Sequence, residues 1–336
     1  MGMRIARETV KNLSELLLGL ERSGNLAPSE GAVGRELINQ LARQTMEGGD
    51  PDRGEAVYRR LELGCVMCHA IGGVGGLVGP DMTSIGASAP VDYLVESLLA
   101  PNDKVKEGYH SLIVETNDGE EYSGILVGED GSELVLRNAA NQTVSIAKQN
   151  VANRIVGGSL MPAGLIEGLE ASEKLDLFRF LSELGKPGRF DAARGNVARK
   201  WRLRAGRHTD EQFGIERIIA NPSGNQWRPA MTLVDGRLEQ DTMREALSLR
   251  NINQVTSLIG LFTSTQLQVP RKGSVTLRFS APNDTLIWVD GKTIPFSKES
   301  RLELDAGIHE VVLKLNPRTL PDSIRLECDE GTFLVR

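Results

Sequence analysis

Cys65-Val66-Met67-Cys68-His69 sets two thiols two residues apart, with an imidazole immediately after the second. That C-x-x-C-H spacing is the one a c-type haem attachment needs. Two thiols on one turn of chain reach the two vinyl groups of one porphyrin as thioethers, and the adjacent histidine falls beneath the iron as an axial ligand. The motif takes two of only three cysteines and one of four histidines in the chain. Other uses of a C-x-x-C pair lack their supporting residues. A structural zinc site needs a second pair of ligands, and the remaining cysteine, Cys328, lies far down the chain. A thioredoxin-like dithiol sits in a βαβ context, whereas here a helical pattern precedes the motif and a glycine-rich stretch follows it. A Cys65–Cys68 disulfide would close a very small, strained loop.

After His69 runs Gly72-Gly73-Val74-Gly75-Gly76-Leu77-Val78-Gly79-Pro80-Asp81-Met82. Glycine allows tight backbone paths and close approach to a flat ligand. Pro80 fixes a turn, and its carbonyl can orient the ring nitrogen of His69 that the metal does not use. Gly79 and Pro80 therefore join Cys65, Cys68 and His69 as candidate cofactor-binding residues. For the second axial position the candidate metal ligand beside His69 is Met161, in Ser159-Leu160-Met161-Pro162. A thioether there raises the reduction potential and suits electron transfer. Met82 and His110 are rivals, the latter giving bis-histidine ligation and a lower potential. Met67 lies inside the motif and points the wrong way.

These residues need elements to hold them. Apolar residues at helical spacing over 4–22 and again from Val33 to Met46 predict a helical N-terminal segment over 1–48, with Gly48-Gly49-Asp50-Pro51 as a linker. Asp52 is the expected cap of a helix beginning at Arg53, with Glu55 three residues on, and it runs into Cys65. Ser88 is the expected cap of a helix with Pro90 in its first turn and Tyr93, Leu94, Leu98 and Leu99 as its apolar stripe. Residues 109–156 turn β-rich, with a hairpin signal at Asp118-Gly119, and predict an antiparallel meander of four or five short strands. Ser172 is the expected cap of a last helix whose core face is Leu175, Leu177, Phe178, Phe180, Leu181 and Leu184, closed by Gly185 and Pro187. This helix and the one before the motif are expected to cross, and a meander with adjacent ends lets Met161 reach the iron.

Cys65 to His69, Gly79-Pro80-Asp81 and Met161-Pro162 before a terminal helix resemble a class I cytochrome c. The finer pattern is similar to the haem-binding domain abundant in Planctomycetes and Verrucomicrobia. It runs through Gly54, the motif, Gly79 to Gly86, Tyr93 to Pro101, the β segment with Asp118-Gly119, and Ser159 to Pro162. The resemblance covers about residues 50–187. It implies covalent haem c with its iron, His69 proximal and Met161 distal, a redox partner protein, and electron transfer in the periplasm or otherwise outside the cytoplasm. The fold class it implies is a multidomain α+β chain, with a mainly-α class I cytochrome c domain over 49–188 carrying the β insertion at about 109–156.

Residues 189–336 read as an all-β sandwich, with strand candidates at 199–204, 215–219, 230–234, 255–261, 274–280, 285–289, 301–305, 308–315 and 323–327. The run from Asp284 to Lys292, followed by Leu304 to Val311, loosely resembles a jelly roll of the PA14 or galactose-binding kind. That implies carbohydrate or partner binding, with Trp201, Trp227 and Trp288 either stacking on sugars or filling the core. His208 and His309 show no ligand spacing, and Cys328 reads as a buried free thiol.

The chain of 336 residues has room for two or three domains. Residues 1–189 carry 18 basic and 27 acidic side chains, within a net charge of −6 for the whole. That excess suits a basic redox partner and argues against nucleic-acid binding. No run of about 18 apolar residues is present to cross a membrane. Neither the basic start nor the small-residue cleavage site of a secretory signal is seen, so a mature or trimmed chain is expected. The expected role is an electron carrier rather than an enzyme. The alternatives are the redox subunit of a secreted dehydrogenase, a haem peroxidase, and a carbohydrate-binding protein with an accessory haem module.

Overall fold

The helices around Cys65 are short, and Gly64 begins the turn that carries it. The structure is a computed structural model that describes residues 34–211, 214–222, 224–247 and 258–335; the helix expected over 4–22 lies outside these. The described helices ahead of the β-rich segment are α1 (Arg35–Gly48), α2 (Pro51–Tyr58), α3 (Cys65–Cys68), α4 (Ile85–Ser88) and α5 (Val91–Leu99). A two-residue hairpin, β1 (Ala70–Ile71) and β2 (Val74–Gly75), follows α3. Five strands come next: β3 (His110–Thr116), β4 (Glu121–Glu129), β5 (Glu133–Arg137), β6 (Thr143–Ala147) and β7 (Val151–Ser159). Helix α6 (Ala171–Glu183) ends the segment. The chain divides into one unit of Met1–Ile71 with Gly75–Gly188 and another of Gly72–Val74 with Arg189–Arg336.

In the first unit, local chemistry sets the helix starts differently from the expectation. Asp50, not Asp52, caps α2: its Oδ1 accepts from the amides of Asp52 (2.9 Å) and Arg53 (3.1 Å), with Pro51 in the first helical position. Ser88 ends α4, and α5 begins at Val91 with no side-chain cap. Helix α6 starts from a reciprocal Glu170–Glu173 capping box, its N-cap two residues before Ser172. Gly48-Gly49 is a packed corner rather than a linker, since a β-carbon on Gly49 would come 2.7 Å from the Leu175 carbonyl oxygen. Helices α2 and α6 cross so closely at Gly54 that a β-carbon there would overlap the Asp176 carbonyl. Tyr58 meets Phe180 with ring centroids 5.4 Å apart. The buried Asp176 carboxylate ties the crossing by accepting from Asp50 N (2.7 Å) and from Arg53 Nε (2.7 Å) and Nη2 (2.9 Å).

The β segment forms one antiparallel sheet in the order β6-β5-β4-β3-β7. Strands β3 to β6 follow one another as hairpins, but β7 crosses back to the free edge of β3, so His110 pairs with Ser159. Val114, Leu134, Leu136 and Ile146 give this sheet a core of its own. The expected class, α+β with a mainly-α cytochrome domain, is therefore corrected. The described chain is mainly β, 36% strand against 25% helix, with nine short helices among the described residues. The described helices run only 4–14 residues, while long antiparallel strands pair in both units.

The second unit is built from β8 (Lys200–Arg207), α7 (His208–Glu211), α8 (Glu216–Ala220), β9 (Arg228–Met231), β10 (Leu238–Glu239), α9 (Gln240–Ala246), β11 (Leu258–Val269), β12 (Gly273–Ser280), β13 (Leu286–Val289), β14 (Lys292–Ile294), β15 (Glu299–Leu304), β16 (Gly307–Leu315), β17 (Ser323–Cys328) and β18 (Thr332–Phe333). One sheet runs β14-β13-β16-β11-β8-β9 with β18 beside β11, and the other runs β10-β17-β12-β15. Inward residues of both, among them Trp201, Leu261, Leu277, Leu313, Leu326 and Cys328, share one core. The strand expected at 215–219 is instead helix α8. Ile215, Ile218 and Ile219 recur at helical spacing and pack with Trp227, Phe262, Trp288 and Val312. Residues 255–257 of the strand expected at 255–261 lie outside the described residues.

Candidate functional site

The thiols of Cys65 and Cys68 stand on the single turn of α3, both free and half-buried. Gly64, at φ 64°, begins that turn from the left-handed region that glycine tolerates. Burial pushes the Cys65 thiol up to about 11 and raises Cys68 as well. Both are protonated at neutral pH, unlike the low-pKa thiolate of a redox dithiol.

His69 follows in extended conformation, and the loop beyond folds back beneath it. The amide of Gly76 donates to Val66 O (2.9 Å), that of Gly79 to Cys68 O (2.8 Å) and that of Met82 to Ala70 O (2.8 Å). Nδ1 of His69 lies 2.8 Å from the Pro80 carbonyl oxygen. A carbonyl only accepts, so Nδ1 carries the proton and Nε2 keeps its lone pair. Burial lowers the imidazole's pKa, opposed by the Pro80 bond and the Asp81 carboxylate, and keeps the ring neutral. A β-carbon on Gly79 would overlap the His69 ring. The loop is also gripped from the sheet: Leu77 N donates to Asn141 Oδ1 (3.1 Å) and Arg137 Nη1 donates to Leu77 O (3.0 Å). Cys65, Cys68, His69, Gly79 and Pro80 are thus brought together.

Met161 is held by other elements. It is half-buried just past the end of β7, with its amide donating to Ser159 Oγ (3.0 Å). His110, exposed at the start of β3, has Nδ1 3.4 Å from Gly157 O. Met82 hangs by its amide from Ala70, the residue after His69.

The donor set fits a haem. Two thiols on one turn, a neutral imidazole with one nitrogen committed to a carbonyl, and a glycine where any side chain would displace the ring are what the group requires. Among the described residues no cluster of three or more His, Cys, Asp or Glu is arranged to hold a metal ion by itself. A haem needs none, because the porphyrin supplies four nitrogens.

Some features were not visible in the sequence. Tyr58 is buried beside the thiols, and its hydroxyl has no hydrogen-bond partner among the described residues. Burial raises its pKa, with the Cys65, Asp81 and Cys68 charges adding and Arg59 opposing. In the second unit His309 is clasped on both sides, Nδ1 at 2.7 Å from Asp290 Oδ2 and Nε2 at 2.9 Å from Asp305 O. Trp201, Trp227 and Trp288 are all buried, so they form no open stacking platform. No helix among the described residues is long and apolar enough to cross a membrane. Compared with models of known protein families and with curated proteins, the chain matches none.

Proposed function

We propose that this chain carries a haem c attached through Cys65 and Cys68, ligated by His69 and Met161, and works as an electron carrier outside the cytoplasm, the periplasm in a bacterium. The carrying observation is the His69 arrangement, in which Pro80 takes Nδ1–H, Gly79 leaves room for the ring, and Nε2 has no hydrogen-bond partner among the described residues, with Cys68 one and Cys65 four residues before His69. In attachment each thiol adds across a vinyl group, sulfur to the inner carbon and proton to the outer one, with no leaving group. Bound haem would supply the one-electron couple. Pro80 would hold the His69 imidazole in one tautomer toward the haem, and Met161 would supply the second ligand. Met161 is favoured over Met82 because Met82 donates its amide to Ala70, the residue next to His69, whereas Met161 stands on a separate segment past β7 and would supply a ligand independent of the motif. Leu61, Met67 and Leu77, all exposed around the motif, offer an apolar rim to a redox partner, and the acidic first half suits a basic one.

Secretion of the protein in cells that mature c-type cytochromes should give a haem that stays with the chain on denaturation and raises its mass by one haem. Cys65→Ala with Cys68→Ala should abolish this. Haem that is extracted by acid from the wild type would sink the attachment.

A further inference from the structure

A chain of hydrogen bonds runs from the end of helix α5 to Met161. Asn102 sits in the turn that follows Pro101, where the Asp103 amide donates to Ala100 O (3.0 Å) and fixes the turn. Its carboxamide Oδ1 accepts from the amide of Ser159 (2.9 Å). Approach is so close that a β-carbon on Gly158 would overlap that same oxygen. The Ser159 hydroxyl then accepts from the amide of Met161 (3.0 Å). On its other side Ser159 is paired with His110 across β3 and β7. The Ser159 peptide is thus pinned from a helix end and from a neighbouring strand, and Met161 is two residues from it.

We propose that Asn102 is a positioning residue for the Met161 thioether, acting through the Ser159 peptide and hydroxyl. This rests on the reading of Met161 as the second axial ligand. The Asn102 oxygen does not touch the iron or the sulfur. It restricts where the Ser159–Met161 segment can stand, so that the thioether is presented rather than recruited. Without the pin, the segment loses one backbone hydrogen bond next to the ligand, and a neighbouring donor such as His110 can compete for the iron.

The test uses the full chain matured with haem. Wild type, Met161→Ala, Asn102→Ala and Asn102→Asp are compared by the weak red-edge absorption band of thioether-ligated ferric haem, by midpoint potential, and by amide hydrogen exchange of the haem-free protein. Met161→Ala should abolish the band. Asn102→Ala should weaken it or lose it at a lower pH than wild type, lower the potential, and speed exchange at Ser159 and Met161. Asn102→Asp retains an acceptor oxygen and should restore the band. A band that survives Met161→Ala overturns the axial reading and the proposal together. A band lost in Met161→Ala but unchanged in Asn102→Ala overturns the positioning role alone, as does failure of a folded Asn102→Asp to restore it. Should Asn102→Ala not fold, Ser159→Ala removes only the hydroxyl acceptor, and an unchanged band there refutes the proposal equally.

Discussion

At the scale of single residues the motif works by exclusion as much as by donation. Gly79 matters for what it lacks. Any side chain there meets the His69 ring, so Gly79→Ala must turn the imidazole or move the backbone, a strain of about 1–3 kcal/mol. The expected result is matured protein with several-fold less haem, measured as haem per chain, while Gly131→Ala, with open space around it, leaves the yield unchanged. Tyr58 makes the opposite case. Its hydroxyl is enclosed and has no partner among the described residues, so removing it relieves an unmet desolvation of about 1–3 kcal/mol. Tyr58→Phe should raise the melting temperature of the haem-free protein by a few degrees; a lower one would show that the hydroxyl has a partner after all.

At the scale of elements the second unit contains a pH-sensitive joint. The turn between β13 and β14 places Asp290 at φ 51°, and Asp290 holds β16 through His309 Nδ1 and through the Glu310 amide (3.0 Å). Both ring nitrogens face acceptors, so both are donors only when the imidazole is charged. Burial works against that charge, but the Asp290 carboxylate, the Asp305 carbonyl and the Asp305 charge outweigh it and raise the pKa above 6.5. Lys272, paired with Asp305 at 2.8 Å, stands nearby on the solvent side. A raised folded-state pKa contributes stability that is complete below the unfolded value and fades as pH climbs through the folded one. The melting temperature of this unit should therefore fall as pH rises above about 6.5, and His309→Gln should flatten that slope. An unchanged slope in the variant would assign the pH dependence elsewhere.

Contrasts between elements show what a linear reading can reach. The Cys65–His69 motif and the Gly79-Pro80 turn are contiguous, so spacing alone carries their chemistry. The return of β7 to β3 depends on a pairing forty residues apart in the chain, roughly, which no local pattern encodes. The run Ile215–Ile219 is short, with Glu216 and Arg217 between its isoleucines, and so short a run does not settle strand against helix until Trp227 and Phe262 supply the face its isoleucines pack on. Asp50 displaced Asp52 as a cap because Pro51 prefers the first helical position. The mainly-α expectation failed for a similar reason: a resemblance carried by a few loops says little about how much paired strand lies between them. Tyr58 reads in sequence only as part of its helix's apolar face, and Asn102 not at all, since the enclosed hydroxyl and the Ser159 contact exist only after distant segments meet.

Across the whole molecule the charge is unequally shared, with 27 acidic and 18 basic side chains in residues 1–189 of a chain whose net charge is −6. A field of that sign attracts cationic reactants and is screened over about 8–10 Å at ordinary salt. Small cationic oxidants should then take electrons from the reduced protein faster than anionic ones of equal driving force, and the gap should close as salt is raised. Equal rates at low salt would disconnect the acidic half from partner choice.

The pairing of His110 with Ser159 has one more consequence. The excursion from β3 to β7 leaves and re-enters at one corner of the sheet, while Arg137 and Asn141 tie its β5–β6 turn to Leu77 of the loop after His69. Its turn at Asp118-Gly119, at the far end of β3, can lengthen, shorten or accept a grafted peptide without changing the span between the chain's exit and re-entry. Sequence drift in that turn is thus insulated from the corner next to Met161.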